Sequence, residues 1–162
     1  MRLRAINKDE HKLVRALRIA ALQDSPGSFG ESASEVVARP ASYWMSMAQS
    51  LVDNHVMFVV EIEGKPQGSV YGLCDKDHED GGRVGGMWVN SAHRGQGLGS
   101  ALLKAVIQWA YIKGLSTLRL WVPEKFPEAQ ALYSKAGFKF THKIKLVECE
   151  SPFHVREMLL QL

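Results

Sequence analysis

Apolar and polar residues alternate along this chain with two different periods, and the changes of period divide it into elements. RLRAI at 2–6 alternates with a period of two and predicts a short strand. Asn7 then stands as an N-cap with Glu10 three residues on. Leu13, Val14, Leu17, Ala20 and Ala21 follow at helical spacing, up to the turn formers Asp24-Ser25-Pro26-Gly27. Residues 31–50 again read as helical, interrupted at Arg39-Pro40, with Tyr43, Trp44, Met47 and Leu51 on one side. HVMFVVEIEGKPQGSVYGL holds two apolar runs around Glu63-Gly64-Lys65, a hairpin pattern. After a polar, acidic loop from Asp75 to Gly82, residues 83–90 (RVGGMWVN) read as a further strand. Leu98, Ala101, Leu102, Ala105, Val106 and Trp109 recur at three and four, an amphipathic helix that Gly114 closes. TLRLWV at 117–122 alternates as a strand. Pro127 opens a helix with Ala129, Leu132, Tyr133 and Ala136 on one face, and Gly137 stops it. Two strands, roughly 138–149 and 153–161, complete an order β-α-α-β-β-β-α-β-α-β-β. Hairpins mixed with β-α-β units predict an α/β fold with a mixed sheet.

Length and composition narrow this picture. The 162 residues make one domain of ordinary size. Lys and Arg exceed Asp and Glu by only three, which lends no support to a nucleic-acid partner. Two cysteines, Cys74 and Cys149, are too few for a disulfide framework and read as free thiols in a reducing compartment. No run approaches the roughly 20 apolar residues that span a bilayer, and MRLRAINKDEHK holds no apolar signal core. The expectation is a cytoplasmic protein with no membrane partner. Six histidines are scattered without ligand spacing, so no metal is expected.

One stretch carries chemistry. From Val89 to Ser100 a strand ends, a loop containing Gly95, Gly97 and Gly99 follows, and the amphipathic helix begins. Glycines let backbone N–H groups converge, and a helix N-terminus adds unpaired donors and the positive end of the dipole. Together they suit a phosphate, with Arg94 available for a charge-assisted contact. No G-x-x-x-x-G-K-[ST] run exists, and Gly95-Gln96-Gly97-Leu98-Gly99-Ser100 fails the dinucleotide fingerprint at its last position.

V-x-x-x-x-R-G-x-G-L-G at Val89 to Gly99 closely resembles the GNAT superfamily of acyl-CoA-dependent N-acetyltransferases. A-x-x-L-Y-x-K-x-G-F at Ala129, Leu132, Tyr133, Lys135, Gly137 and Phe138 reinforces the match, and the element order extends it over essentially the whole chain. The resemblance implies a mostly antiparallel sheet of about seven strands flanked by about four helices, within a single domain covering 1–162. It implies that the backbone from Arg94 through Gly95, Gln96, Gly97, Leu98 and Gly99 to Ser100 holds the pyrophosphate of acetyl-CoA. Met87, Trp88 and Val89 would pair with the pantetheine arm as an added strand, and the N–H near Val89 would polarise the thioester carbonyl. Tyr133 would act as general acid to the leaving thiolate. The expected reaction is direct transfer of acetyl to a primary amine of a small molecule. A protein N-terminus or lysine is the competing acceptor, and a non-catalytic acyl-CoA sensor the competing function. A homodimer is left open, since dimers are frequent in the superfamily.

The chain departs from its relatives at two places. Phe126 stands where many carry Asn, and the strand from Arg83 to Val89 lacks the carboxylate many place there as general base. The base is left unassigned among His78, Glu79, Asp80, Glu124 and solvent. The acidic run Asp75, Asp77, Glu79 and Asp80 is read as a solvated loop, with attraction of a cationic acceptor as the weaker alternative.

Overall fold

A computed structural model describes residues 1–76 and 80–162. Strands β1 (Arg2–Ala5), β2 (Val56–Ile62), β3 (Lys65–Cys74), β4 (Gly81–Val89), β5 (Thr117–Pro123), β6 (Lys139–Val147) and β7 (Phe153–Gln161) form one sheet, in the order β1-β2-β3-β4-β5-β7-β6. Every pair is antiparallel except β4 with β5. Five α-helices accompany them: α1 (His11–Asp24), α2 (Ala33–Val37), α3 (Ala41–Asp53), α4 (Leu98–Lys113) and α5 (Pro127–Lys135). No described helix is long and apolar enough to cross a membrane.

The expected fold class holds, with one helix more than expected. The region read as one interrupted helix divides at Arg39-Pro40. Ser32 and Glu35 cap α2 reciprocally, and Pro40, which has no N–H to leave unsatisfied, becomes the N-cap of α3. Helix α1 starts later than its capping pattern suggests, at His11. Glu10 does accept the Asn7 N–H at 2.7 Å, but its carboxylate is also bound by Arg4 at 2.8 Å, which ties α1 to β1. The β2–β3 turn is as expected: Glu63 and Gly64 both take positive φ, the conformation of a tight two-residue hairpin.

Two cores lie on opposite faces of the sheet. Helices α1 to α3 pack Val14, Leu17, Val36, Trp44 and Leu51 onto Met57, Val59, Tyr71 and Trp88 of β2–β4. On the other face α4 and α5 set Leu98, Leu102, Val106 and Tyr133 against Val60, Val70, Val84, Leu118, Leu120 and Val122. The first helical layer covers only the β1–β4 half, so one face of β5, β7 and β6 has no helix over it.

The feature that makes a site is the meeting of β4 and β5. They pair only from Gly81–Arg83 against Thr117–Arg119. Beyond that point β4 keeps β3 as its strand partner and β5 keeps β7, so a wedge opens between Val84–Val89 and Leu120–Pro123. A bulge drives the parting. Three steps from Trp88 to Gly85 on β4 oppose two from Ser69 to Tyr71 on β3, and the extra residue increases local twist. Gly86 sits in it at φ +58, and a Cβ there would stand 2.4 Å from the buried ring of Tyr71. Replacing Gly86 by Ala therefore adds both backbone strain and a clash in a packed layer, a loss of roughly 2–4 kcal/mol. Urea denaturation should show this loss, and combining it with Tyr71→Ala should cost less than the two changes summed, because the second removes the ring that the new methyl strikes.

Candidate active site

At the open end of the wedge the chain leaves β4 through Asn90, whose side chain donates to Gln67 at 2.8 Å and accepts from the Ala92 N–H at 3.0 Å. A single 3-10 turn, Ser91–His93, leads to Gly95 and Gly97, both left-handed at φ +76 and +84. Side chains rarely adopt that backbone, which explains the glycines. Helix α4 then starts at Leu98 with no side-chain cap, and its first bond runs from the Ala101 N–H to the Gly97 carbonyl at 3.0 Å. The N–H groups of Leu98, Gly99 and Ser100 precede that bond and converge at the dipole's positive end. A Cβ on Gly95 or Gly97 would meet nothing within 4 Å, so the surface over them is open. This cradle suits an anion the size of a phosphate.

The residues expected to bind the arm alternate as strand geometry requires. Met87 and Val89 pack toward α4 and α5, whereas Trp88 is buried under α1 on the opposite face, so Trp88 offers the wedge only backbone. Its indole Nε1 donates to Asp24 at the end of α1, at 2.9 Å. The Ser91 hydroxyl donates to the same carboxylate at 2.6 Å, and Arg94 joins it through Nη2. Arg94 further donates to the Ser25 hydroxyl at 2.9 Å and the Val89 carbonyl at 3.0 Å. The guanidinium thus locks the glycine loop to α1 and to the last carbonyl of β4. Burial raises the Asp24 pKa, but hydrogen bonds from Ser91 and Trp88 and the charge of Arg94 outweigh it and hold the carboxyl below its ordinary 3.8.

Helix α5 forms the second wall. A Cβ on Gly99 would lie 3.2 Å from Leu132 Cδ2 and 3.9 Å from Val89 Cγ2, so the start of α4 approaches both α5 and the end of β4 at this glycine. The next residue, Tyr133, is buried with its ring edge-on to Phe138 at 6.1 Å. No described residue hydrogen-bonds its hydroxyl, and burial alone raises its pKa well above the usual phenol value. It therefore keeps its proton as a donor. Phe126, the residue that departs from the family pattern, is the N-cap of α5 without a side-chain bond. Gln130, unremarkable in sequence, takes the turn carbonyls of Pro123 and Glu124 at 3.2 and 3.0 Å.

The structure puts Asp80 of the acidic loop just before β4, at the closed end of the wedge, where it accepts from the Ser116 hydroxyl. The eight steps from Gly81 to Val89 put Asp80 about 26 Å from the open end. Asp80 is therefore no base for this site. Asp77, His78 and Glu79 lie outside the described residues. Of the described candidates, Glu124, on the turn after β5, stands at the open end. Among the described residues no group of three or more His, Cys, Asp or Glu is arranged to hold a metal.

A parted mixed sheet with an anion cradle at the start of its long helix defines an acyl-CoA-type transferase scaffold. The acetyltransferase (GNAT) family matches residues 17–138, and the chain belongs to that family. An uncharacterised N-acetyltransferase of Methanocaldococcus jannaschii is 29% identical over 97 residues, 57% of this chain; the match spans less than half, 43%, of that relative's length. Among solved structures, a GNAT-family acetyltransferase of Streptococcus pneumoniae superposes with a TM-score of 0.84 at 21% identity, covering 99% of this chain and 98% of that one. An acetyltransferase of Salmonella typhimurium, solved with acetyl-CoA, gives 0.82 at 17% identity, covering 100% and 94%.

The Asp24 network yields a pH prediction. A folded-state pKa below 3.8 contributes stability that is present above that value and is lost as pH falls through the lower, folded one. In Asp24→Asn that segment of acid dependence should vanish from the stability–pH curve. The variant should also be less stable by about 1–3 kcal/mol at neutral pH, since Arg94, Ser91 and Trp88 lose a charged acceptor.

Proposed function

We propose that this chain transfers acetyl from acetyl-CoA to the primary amine of a small molecule by direct attack. The observation that carries the reading is the pair of ends on one wedge: open N–H groups at the start of α4, and a protonated, unpartnered Tyr133 hydroxyl on α5. The amides of Leu98, Gly99 and Ser100 would take the pyrophosphate, and the unpaired edge of β4 up to Val89 the arm. The amine nitrogen forms a bond to the acetyl carbon as the C–S bond breaks. Tyr133 donates its proton toward the departing thiolate, and the amine gives up its own to Glu124 through water or to solvent.

The loop after α1 supports a small acceptor. Gly27 approaches Lys125 so closely that a Cβ would lie 3.4 Å from Nζ, and a Cβ on Gly30 would stand 2.9 Å from Val147 Cγ1. A loop that reaches from α1 across to β6 beside the wedge favours a small acceptor over a folded protein surface. Structures of the same fold include ribosomal-protein-alanine N-acetyltransferases, a phosphinothricin N-acetyltransferase and a spermidine N-acetyltransferase, so the fold alone does not choose the acceptor.

Tyr133→Phe should lower kcat by about 10²- to 10⁴-fold while acetyl-CoA affinity stays within about twofold, as removing a hydroxyl with no partner leaves packing intact. Thiol release and calorimetry check the two halves, and an unchanged kcat would refute the acid. A chain that binds acetyl-CoA yet releases no thiol with a broad amine panel would be a sensor instead. Gly97→Val combines a disfavoured φ with a side chain projecting over the cradle. Acetyl-CoA affinity should fall at least tenfold with the circular dichroism spectrum retained.

A further inference from the structure

Among the described residues, the strands of the sheet face left without a helix carry mostly positive charge. Register places Arg83 of β4 beside Arg119 of β5, Arg119 beside Leu159 of β7, and Leu159 beside Lys139 of β6. The next rows on the same face are Trp121 with Glu157, and Pro123 with Val155 and Lys145. Lys143 reaches the same face, 3.7 Å from Glu157. Lys145 lies over the Trp121 ring at 4.2 Å, and Lys125 over the Phe153 ring at 4.6 Å. Against the five strand cations, Arg83, Arg119, Lys139, Lys143 and Lys145, the described strand residues of this face hold one carboxylate, the buried Glu157, which Arg119, Lys143 and Thr141 already bind. Arg83 has Asp75 at 3.9 Å at the closed end. Lys125 stands on the turns at the rim, as do the exposed carboxylates Glu124, Glu148 and Glu150.

Carboxylates on the helix-covered side are likewise spoken for: Arg94 binds Asp24, and Arg18 and Arg39 bind Glu31. Lys125 and Lys145 have aromatic rings as their described partners. Trp121 borders the wedge on β5, so the Lys145 ammonium over its ring stands beside the wedge, although Lys145 belongs to β6.

We propose that the acceptor is a small amine bearing an anionic group, a carboxylate or phosphate, held by Lys145 on this face with Lys125 on the adjoining turn. The aromatic rings beneath hold the ammonium groups in place, and their low polarity strengthens the pairing with an anion. This inference rests on the acetyl-transfer reading and names its substrate class.

Three amines of equal length test it at saturating acetyl-CoA: 8-aminooctanoate, octylamine and 1,8-diaminooctane, with a short peptide beginning Ala-Asp-Glu as a fourth. The expected kcat/KM is at least tenfold higher for 8-aminooctanoate than for the diamine. The double variant Lys125→Glu, Lys145→Glu should abolish or reverse that preference while acetyl-CoA affinity stays unchanged, and 0.5 M salt should weaken it. Preference for the diamine, or a preference untouched by charge reversal, would overturn the proposal. A tenfold advantage for the peptide would overturn the small-molecule assignment. Should no amine be turned over, acetyl transfer fails, but calorimetry of 8-aminooctanoate on the CoA-loaded protein still decides the subsite. Binding that the double variant loses supports it, and no binding refutes it.

Discussion

The parting of β4 from β5 is the constraint on which everything else depends. A strand inside a sheet normally satisfies its backbone from both sides, and unpaired groups away from water are costly. Here β4 gives up its second partner from Val84 onward, and the fold maintains that sacrifice from three directions. The bulge at Gly86 twists β4 away, β7 holds β5 along its full length, and Leu132 of α5 packs against Gly99 at the start of α4, beside the end of β4. The result is an exposed strand edge in the middle of a sheet, where an extended ligand can take the place of the missing strand.

Asp24 joins the two sides of that opening. The carboxylate ends α1, from which the loop toward β6 departs, and it binds Ser91 and Arg94, which shape the anion cradle. Because its pKa is held below the ordinary carboxylate value, the charge persists at any physiological pH. The link is thus a fixed brace and not a titrating one. A displacement of the glycine loop on binding an anion would be felt at Ser25 and the loop after α1, since Arg94 contacts both Ser25 and Val89.

Local chemistry was readable in advance, and long-range geometry was not. Helix α4, the Glu63-Gly64 turn and the glycine loop each follow from residues within one window, and all stand where the pattern puts them. The wedge does not, because Arg83 to Val89 reads as one unbroken strand. Only the adjacent Gly85-Gly86 hints at a bulge. Arg94 and Asp24 lie seventy residues apart, and no periodicity relates them. Asp80 adjoins β4 in sequence, but at the far end of a nine-residue strand from the cradle, a distance that sequence proximity hides. Tyr133 was assigned through its motif, while its unpartnered hydroxyl and raised pKa needed the packing of α5.

A net charge of +3 conceals a segregation that only the strand register reveals. In the β1–β4 half, carboxylates meet arginines: Glu10 and Glu61 with Arg4, Glu31 with Arg18 and Arg39. Such pairs are neutral at a distance and cannot steer a ligand. In the β5–β7–β6 half, alternation puts Lys139, Lys143 and Lys145 on one face with a single buried acid between them. A mouth lined with one sign of charge on a low-dielectric wall concentrates the opposite ion. An amine acceptor approaching as a cation would be repelled there and would also need to lose a proton. An acceptor carrying an anion is drawn in by that group, and the same cations lower the pKa of its ammonium as it enters the wedge. One basic face thereby favours both the capture of the acceptor and the deprotonation that a chain without a carboxylate on β4 must otherwise leave to solvent.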